Sequence, residues 1–313
     1  MTRAGAASAA ILLAVHLLAA FADFFAPYGP REQHREFPWS PPARIGLSGF
    51  RPVARMTPEG PDFPIRFLPR DGRGWHLFGV DPPARIFILG SDGLGRDQFS
   101  RLLHGARISL FSGMAAAAVS ALLGLCLGGS AGYFGGWADS VLMRLAEVFL
   151  ALPWMYLLLA VRAFFPLRTE PGLIFVALIV LLGAIGWARP ARLVRATVLS
   201  VKEREYVLAA RGFGAGPLYI LRRHIAPETF PVLLTYMSLA IPQYVLAETT
   251  LSFAGLGVSG STASWGALLA PLASLEVLAN YWWMWLPAAG LAVVFACYAR
   301  ISNALAGSDA ARV

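Results

Sequence analysis

Apolar runs of roughly 20 residues alternate along this chain with short segments that hold nearly all of its charge. A hydrocarbon layer about 30 Å thick imposes that spacing on helices rising about 1.5 Å per residue. The runs lie near residues 6–25, 108–133, 141–165, 172–194, 230–251 and 284–305. They predict an all-α integral membrane protein with six transmembrane helices, since a helix satisfies its own backbone hydrogen bonds inside lipid. Pro166 and Pro171, flanking Arg168 and Glu170, predict a tight turn between the third and fourth runs. Arg3 precedes the first run and Ala20-Phe21-Ala22 has the look of a small-residue cleavage site, so a signal peptide is an alternative for this stretch. The run continues past that site and five more follow, so a retained first helix is expected.

Loop charge predicts the orientation. Residues 189–223 carry Arg189, Arg192, Arg195, Lys202, Arg204, Arg211, Arg222 and Arg223, whereas residues 252–283 carry no Lys or Arg. The first segment is therefore expected in the cytoplasm and the second outside, which puts both termini inside. Residues 27–106 are then external although rich in Arg, which the rule permits because it does not count loops longer than about 60 residues. Their prolines and scattered aromatics predict a small loop-rich cap, with a short strand over residues 85–89. Trp282, Trp283 and Trp285 are expected to form an interfacial aromatic belt before the last span.

Composition agrees with the pattern. The 313 residues are 57% hydrophobic and 14% charged, against about 25% charged in soluble domains. The net charge of +8 invites a nucleic-acid reading, but no patch interleaves stacking aromatics with cations, so nucleic acid is not an expected partner. Cys126 and Cys297 fall inside apolar runs and are expected to be small core residues rather than a disulfide or metal pair.

One polar segment stands out. Residues 202–214, KEREYVLAARGFG, predict a short helix with Leu199, Tyr206, Val207 and Ala210 on one face and Lys202, Arg204 and Arg211 among the polar positions. Ala209, Ala210, Gly212 and Gly214 would let another backbone approach closely, and Gly214 with Gly216-Pro217 would end the helix. A second short helix is expected over residues 218–224, leading to Pro227 at the start of the fifth span. Such a helix can lie on headgroups, brace its own bundle or dock into a partner's groove, and its amphipathicity alone does not choose.

The order of residues does. Glu205, Ala209-Ala210, Gly214 and Ile225-Ala226-Pro227 resemble the coupling-loop signature, EAA…G…I-x-P, of permease subunits of binding-protein-dependent ATP-binding-cassette importers. The dipeptide, oligopeptide and nickel branch of that family is resembled more widely. Leu89-Gly90-Ser91-Asp92-Gly93-Leu94-Gly95-Arg96-Asp97, Ser100 to Leu103, Gly105-Ala106-Arg107, Ala131-Gly132-Tyr133, Gly135-Gly136-Trp137, Lys202 to Tyr206, Leu251-Ser252-Phe253, Gly255-Leu256-Gly257 and Ser264-Trp265-Gly266 follow in the same order. The likeness covers residues 86–270 strongly and 1–30 weakly. The chain departs from the branch at Ala226, where Leu is usual, in its carboxyl tail and in its longer cap.

The resemblance implies a MetI-like permease fold. Residues 1–26 would hold the cytoplasmic amino terminus and first helix, 27–106 a periplasmic cap, 107–305 a five-helix core with a coupling loop at 195–227, and 306–313 a cytoplasmic tail. It implies a pore-forming subunit of the bacterial inner membrane, most readily for di- or oligopeptides, with nickel or another small solute as the alternative. The implied partners are a second homologous permease, two cytoplasmic ATPase subunits, a periplasmic solute-binding protein and membrane lipid. Glu205 would be the polar anchor on the ATPase, Ala209, Ala210 and Gly214 the packing and turn positions, and Pro227 the end of the motif. Arg211 and Arg222 are candidate ATPase contacts, or ordinary positive-inside charges on headgroups.

No engine is expected within the chain. A phosphate-binding loop needs Lys followed by Ser or Thr, and the sole lysine, Lys202, precedes Glu203. No catalytic or metal constellation is visible, so the chain is not expected to be an enzyme or to hold a cofactor; ATP and Mg would bind the partner subunits. Gly124, Gly128 and Gly132 predict a helix-packing face. Charge inside lipid costs about 2.5–3.5 kcal/mol on insertion scales, so Glu248 is either a pathway or gate residue or a buried hydrogen-bonding group. Arg144 and Glu147 are expected to pair or snorkel, and His16 to be a satisfied packing residue. A stand-alone secondary transporter predicts internal repeats with midplane charges, and no repeat is detectable.

Overall fold

The computed structural model describes residues 3–48, 51–55, 61–153, 156–157, 159–160, 171–255 and 263–310. The expected turn at residues 166–170, the end of the third apolar run and the Leu256-Gly257 pair lie outside them. The helices, in chain order, are α1 (Arg3–Ala20), α2 (Ala22–Phe25), α3 (Gln98–Phe134), α4 (Gly136–Ala151), α5 (Pro171–Gly186), α6 (Ala188–Val201), α7 (Glu205–Gly212) and α8 (Pro217–Ile220). A π-turn (Leu221–Ile225) joins α8 to α9 (Ala226–Phe253), and α10 (Trp265–Leu269), α11 (Leu275–Asn280) and α12 (Leu286–Ala310) follow.

Among the described residues, three helical stretches are long and apolar enough to cross a membrane: Gln98–Phe134, Pro217–Phe253 and Trp282–Leu305. A fourth span results if Phe175–Gly186 and Ala188–Val201 count as one, bent by 45°. The bend has a sequence cause. Pro190 lies four residues after Gly186, so the Gly186 carbonyl loses the N–H it would accept in a continuous helix. The first and third apolar runs give shorter helices: α1 breaks at Phe21, and α4 ends before Pro153. At 37 residues, α3 is about 55 Å long, well beyond the hydrocarbon thickness.

The chain divides into two compact units. The first holds residues 1–6, 112–247 and 298–313. Its organising contact is the glycine face expected on α3. A Cβ on Gly124 would meet the Pro190 ring at 2.7 Å, and one on Gly132 would meet Val198 at 2.8 Å. On Gly128 it would overlap the Ala191 carbonyl. Glycine therefore lets α3 and α6 touch backbone to backbone. Cys126 lies two residues round from this face and is exposed, against the expectation of a core position; Cys297 is buried.

The second unit holds residues 7–111 and 248–297. Its polar stretch is more ordered than the expected loop-rich cap, with three antiparallel sheets. Strands β1 (Arg44–Ser48), β2 (Arg51–Arg55) and β3 (Phe63–Pro64) form one; β4 (Arg66–Phe67) pairs with β7 (Phe78–Gly79), and β5 (Arg70–Asp71) with β6 (Gly74–Trp75). The strand expected over residues 85–89 is absent. That stretch is irregular chain ending in a turn, and its Ile86 and Phe87 are buried with Tyr28 and Ala54, so its apolar residues mark core insertion rather than sheet pairing. Among the tryptophans expected in the interfacial belt, Trp282 and Trp285 are exposed, but Trp283 is buried and donates its indole N–H to the Ser91 carbonyl at 3.0 Å.

Candidate coupling segment and buried polar sites

Glu205 opens α7, where a carboxylate favours the helix dipole. Its side chain is exposed and, among the described residues, makes no ion pair or hydrogen bond. Of the residues expected to share one face, Val207 is fully buried and Ala210 half-buried, while Tyr206 is exposed. The Tyr206 hydroxyl lies 3.4 Å from Glu228, and Arg204 lies 3.8 Å from the same carboxylate. Ala209 is exposed, and an added Cβ on Gly212, Gly214 or Gly216 would meet no atom within 4 Å, so the small residues leave open space on this side of the chain. Gly214 has φ +84°, a conformation that favours glycine and reverses the chain after α7.

Arg211 lies over the Tyr133 ring at 5.6 Å, a cation–π contact with its own bundle. Arg222 is exposed on the π-turn. The second helix runs on without a stop: the Ala226 N–H reaches back five residues to Leu221, and the chain enters α9 through Pro227. Proline lacks a donor and crowds the carbonyl four residues earlier, and the wider π-turn accommodates both effects.

Behind this surface, Val207, Ile220 and Ile225 are buried in one cluster with Val194, Val198 and Val201 of α6, Ala121 of α3 and Leu233 of α9. Arg195 ties α6 to α4 through two 2.5 Å bonds to Asp139. The cluster packs α7 against α6, α3 and α9 through close apolar contact.

Glu248 is fully buried. Ser109 and Ser252 each donate a hydroxyl to it at 2.6 Å, and Ser109 also accepts the Trp265 backbone N–H at 3.0 Å. The carboxylate thereby ties α3, α9 and the start of α10 together. Arg144 and Glu147 pair at 3.0 Å on an exposed face, and His16 bonds to the Leu12 carbonyl at 2.7 Å.

Two arrangements were not foreseeable from spacing. The Ser91–Arg101 stretch is a buried ionic turn: Asp92 accepts the Leu94 and Arg96 N–H groups at 2.9 and 3.0 Å and pairs with both Arg96 and Arg101. Asp97 caps α3, accepting from the Ser100 N–H at 2.8 Å and its hydroxyl at 2.6 Å. Burial pushes the Asp97 carboxyl up to about 7, against those bonds. The other is a cavity of about 300 Å³ beside the α5–α6 bend, lined by Phe149, Leu182, Arg189, Tyr236, Gln243 and Tyr244 among others. Its only visible signal was Pro190 four residues after Gly186.

Long apolar helices joined by a basic, outward-facing helical segment define a multi-pass membrane protein. Within that class, the chain belongs to the family of binding-protein-dependent transport system inner membrane components, which it matches over residues 124–307. It is 43% identical to the dipeptide transport system permease protein DppC of Bacillus subtilis over 64% of this chain and 61% of that protein. It is 37% identical to the oligopeptide transport system permease protein OppC of the same organism, over 66% of each chain. With the nickel transport system permease protein NikC of Escherichia coli it shares 37% identity over 68% of this chain and 70% of the other. The match thus spans less than two thirds of the length of the dipeptide permease.

Proposed function

We propose that this chain is a pore-forming permease subunit of an ATP-driven, binding-protein-dependent importer, and that its cargo is short peptides. The observation that carries the reading is the outward face of α7 and its flanks. Leu208, Phe213, Leu218 and Tyr219 are exposed there, Phe213 at 93%, amid Glu205, Arg211 and Arg222. A helix that only braced its own bundle would turn these side chains inward. Here the inward face is Val207, and the apolar outer face is open to a partner. In this reading Glu205, Ala209, Ala210, Gly214 and Pro227 seat the segment on a cytoplasmic ATPase. Closure of two such ATPases moves α7, and the cluster behind it moves α6 and α9.

The remainder follows from the same reading. Six spans would place both termini in the cytoplasm of a bacterial inner membrane, with residues 27–106 as a periplasmic cap that receives the solute-binding protein. Residues 107–305 would form the core, with the coupling loop at 195–227. A second, homologous permease would complete the pore, and ATP and Mg would be bound by the ATPase subunits. The dipeptide and oligopeptide permeases among its relatives support peptides as cargo; the nickel permease keeps a metal cargo as the alternative.

The test is Glu205→Lys in the assembled transporter reconstituted in liposomes. Insertion and assembly are expected to persist while ATP-dependent uptake of a labelled dipeptide and stimulation of ATP hydrolysis are lost. Unchanged uptake and stimulation would remove the docking role, and uptake by the chain alone without nucleotide would remove the importer reading.

A further inference from the structure

The cavity beside the α5–α6 bend has a chemistry that neither the coupling motif nor the family match assigns. Tyr236, Gln243 and Tyr244 of α9 stand at helical spacings of seven and eight, on one face. Their polar ends converge at the bend. The Tyr236 hydroxyl lies 3.1 Å from Ser120 Oγ, 3.4 Å from the Tyr244 hydroxyl and 3.5 Å from the Gly186 carbonyl that Pro190 leaves without a helix donor. A Cβ on Gly186 would overlap the Tyr244 hydroxyl, so glycine here lets that hydroxyl approach the bend. Opposite stands Arg189, exposed, with Gln243 Oε1 at 3.4 Å.

Arg189, like Arg192 on the same helix, forms no ion pair among the described residues. Arg195 pairs with Asp139, Arg144 with Glu147 and Arg204 with Glu228. It lies inside the bent stretch that can count as one span, where an uncompensated cation is costly unless it faces water or an anion. The walls around it are apolar: Phe149, Leu150, Leu182, Ile185 and Leu246. The Arg189 guanidinium, without a carboxylate among the described residues, stands with the Gln243 amide at the rim of an apolar hollow, a donor set that can recognise a carboxylate attached to a small organic body.

We propose that this cavity is a solute-contact site of the permease, and that it takes a carboxylate-bearing solute, its carboxylate on Arg189 and its body against the apolar walls. This rests on the importer reading for the class of solute, and it adds which residues of this chain touch it. Tyr236 and Tyr244 hold the bend of α5–α6 as well as lining the site, so an occupant touches the joint that coupling must move.

The test reads occupancy without ATP or flux, so it stands apart from the transport assay. Leu246→Cys is placed on the cavity wall in a chain carrying Cys126→Ser and Cys297→Ser, and the assembled transporter is labelled in membrane vesicles. Sulfonatoethyl methanethiosulfonate is expected to react faster than its trimethylammonium counterpart, relative to their rates on a free thiol, by about tenfold. Arg189→Gln is expected to abolish that preference and Arg189→Lys to keep most of it. Alanyl-alanine is expected to slow labelling in the Arg189 protein, while its carboxyl-terminal amide does not. No labelling, no charge preference, or equal protection by acid and amide would each overturn the proposal.

Discussion

Replacing Glu248 with Leu tests whether the buried carboxylate is a structural tie. The change keeps the side chain's size but removes both acceptors. Ser109 and Ser252 each lose a 2.6 Å bond, and both hydroxyls stay in a site closed to water. Each buried donor left without its acceptor costs about 1–3 kcal/mol. Ser109 keeps its bond from the Trp265 N–H. The sum is about 2–6 kcal/mol, which for a chain of this size lowers the unfolding midpoint on the order of 10 °C. Glu248→Gln retains one acceptor oxygen, and its amide can donate to a serine oxygen, so it is expected to lose less than half as much. The assay is tryptophan fluorescence of the detergent-solubilised chain during heating, with Leu, Gln and wild type side by side. A Leu variant that melts with the wild type would refute the reasoning, because the hydroxyls would then have found other partners at no cost.

The contact between α3 and α6 gives a paired prediction: Gly128→Ala should destabilise by about 1–3 kcal/mol through overlap with the Ala191 carbonyl. Gly129→Ala, one residue round with nothing within 4 Å of its Cβ, should be neutral or stabilise by about 0.5–1 kcal/mol; equal effects in thermal unfolding would contradict the packing. Gly214→Ala should cost on the order of 1–2 kcal/mol, because φ +84° is strained with a Cβ, and proteolysis at the loop after α7 should accelerate; an unchanged cleavage rate would argue against a rigid reversal there. Asp97 carries its proton in the folded chain up to about pH 7 but would lose it near pH 4 when unfolded. Its contribution to stability is therefore present in full below about pH 4 and declines as pH rises towards 7. Asp97→Asn should flatten that part of the melting-temperature profile, and a slope unaltered in the variant would assign it to another group.

Much of the architecture is legible along the chain because lipid imposes a one-dimensional rule: enough apolar residues in a row make a helix. The runs at 108–133, 230–251 and 284–305 became long helices for that reason, and glycines four apart announced the α3 face because only small residues let backbones touch. The α7 helix was readable too, from its composition and terminal glycine. Less legible was which side of it would face out: Tyr206 shares a face with Val207 by spacing, yet only Val207 is buried. The strand expected at 85–89 failed for a similar reason, since an apolar stretch reads alike whether it pairs in a sheet or fills a core.

Hydropathy, glycine spacing and the ordered motif blocks thus determined on their own that this is a multi-span protein of the permease family with a short polar helix between two apolar stretches. They suffice because burial in lipid and helix periodicity are local properties of the chain. Where Glu248 finds its hydroxyls, why Trp283 leaves the interface for Ser91, and how Arg189, Gln243 and two tyrosines come to share one cavity were decided only by the tertiary structure. Apart from Ser252, four residues from Glu248, the partners lie tens to nearly two hundred positions apart, and hydrogen-bond complementarity across that separation exists only once the helices have packed.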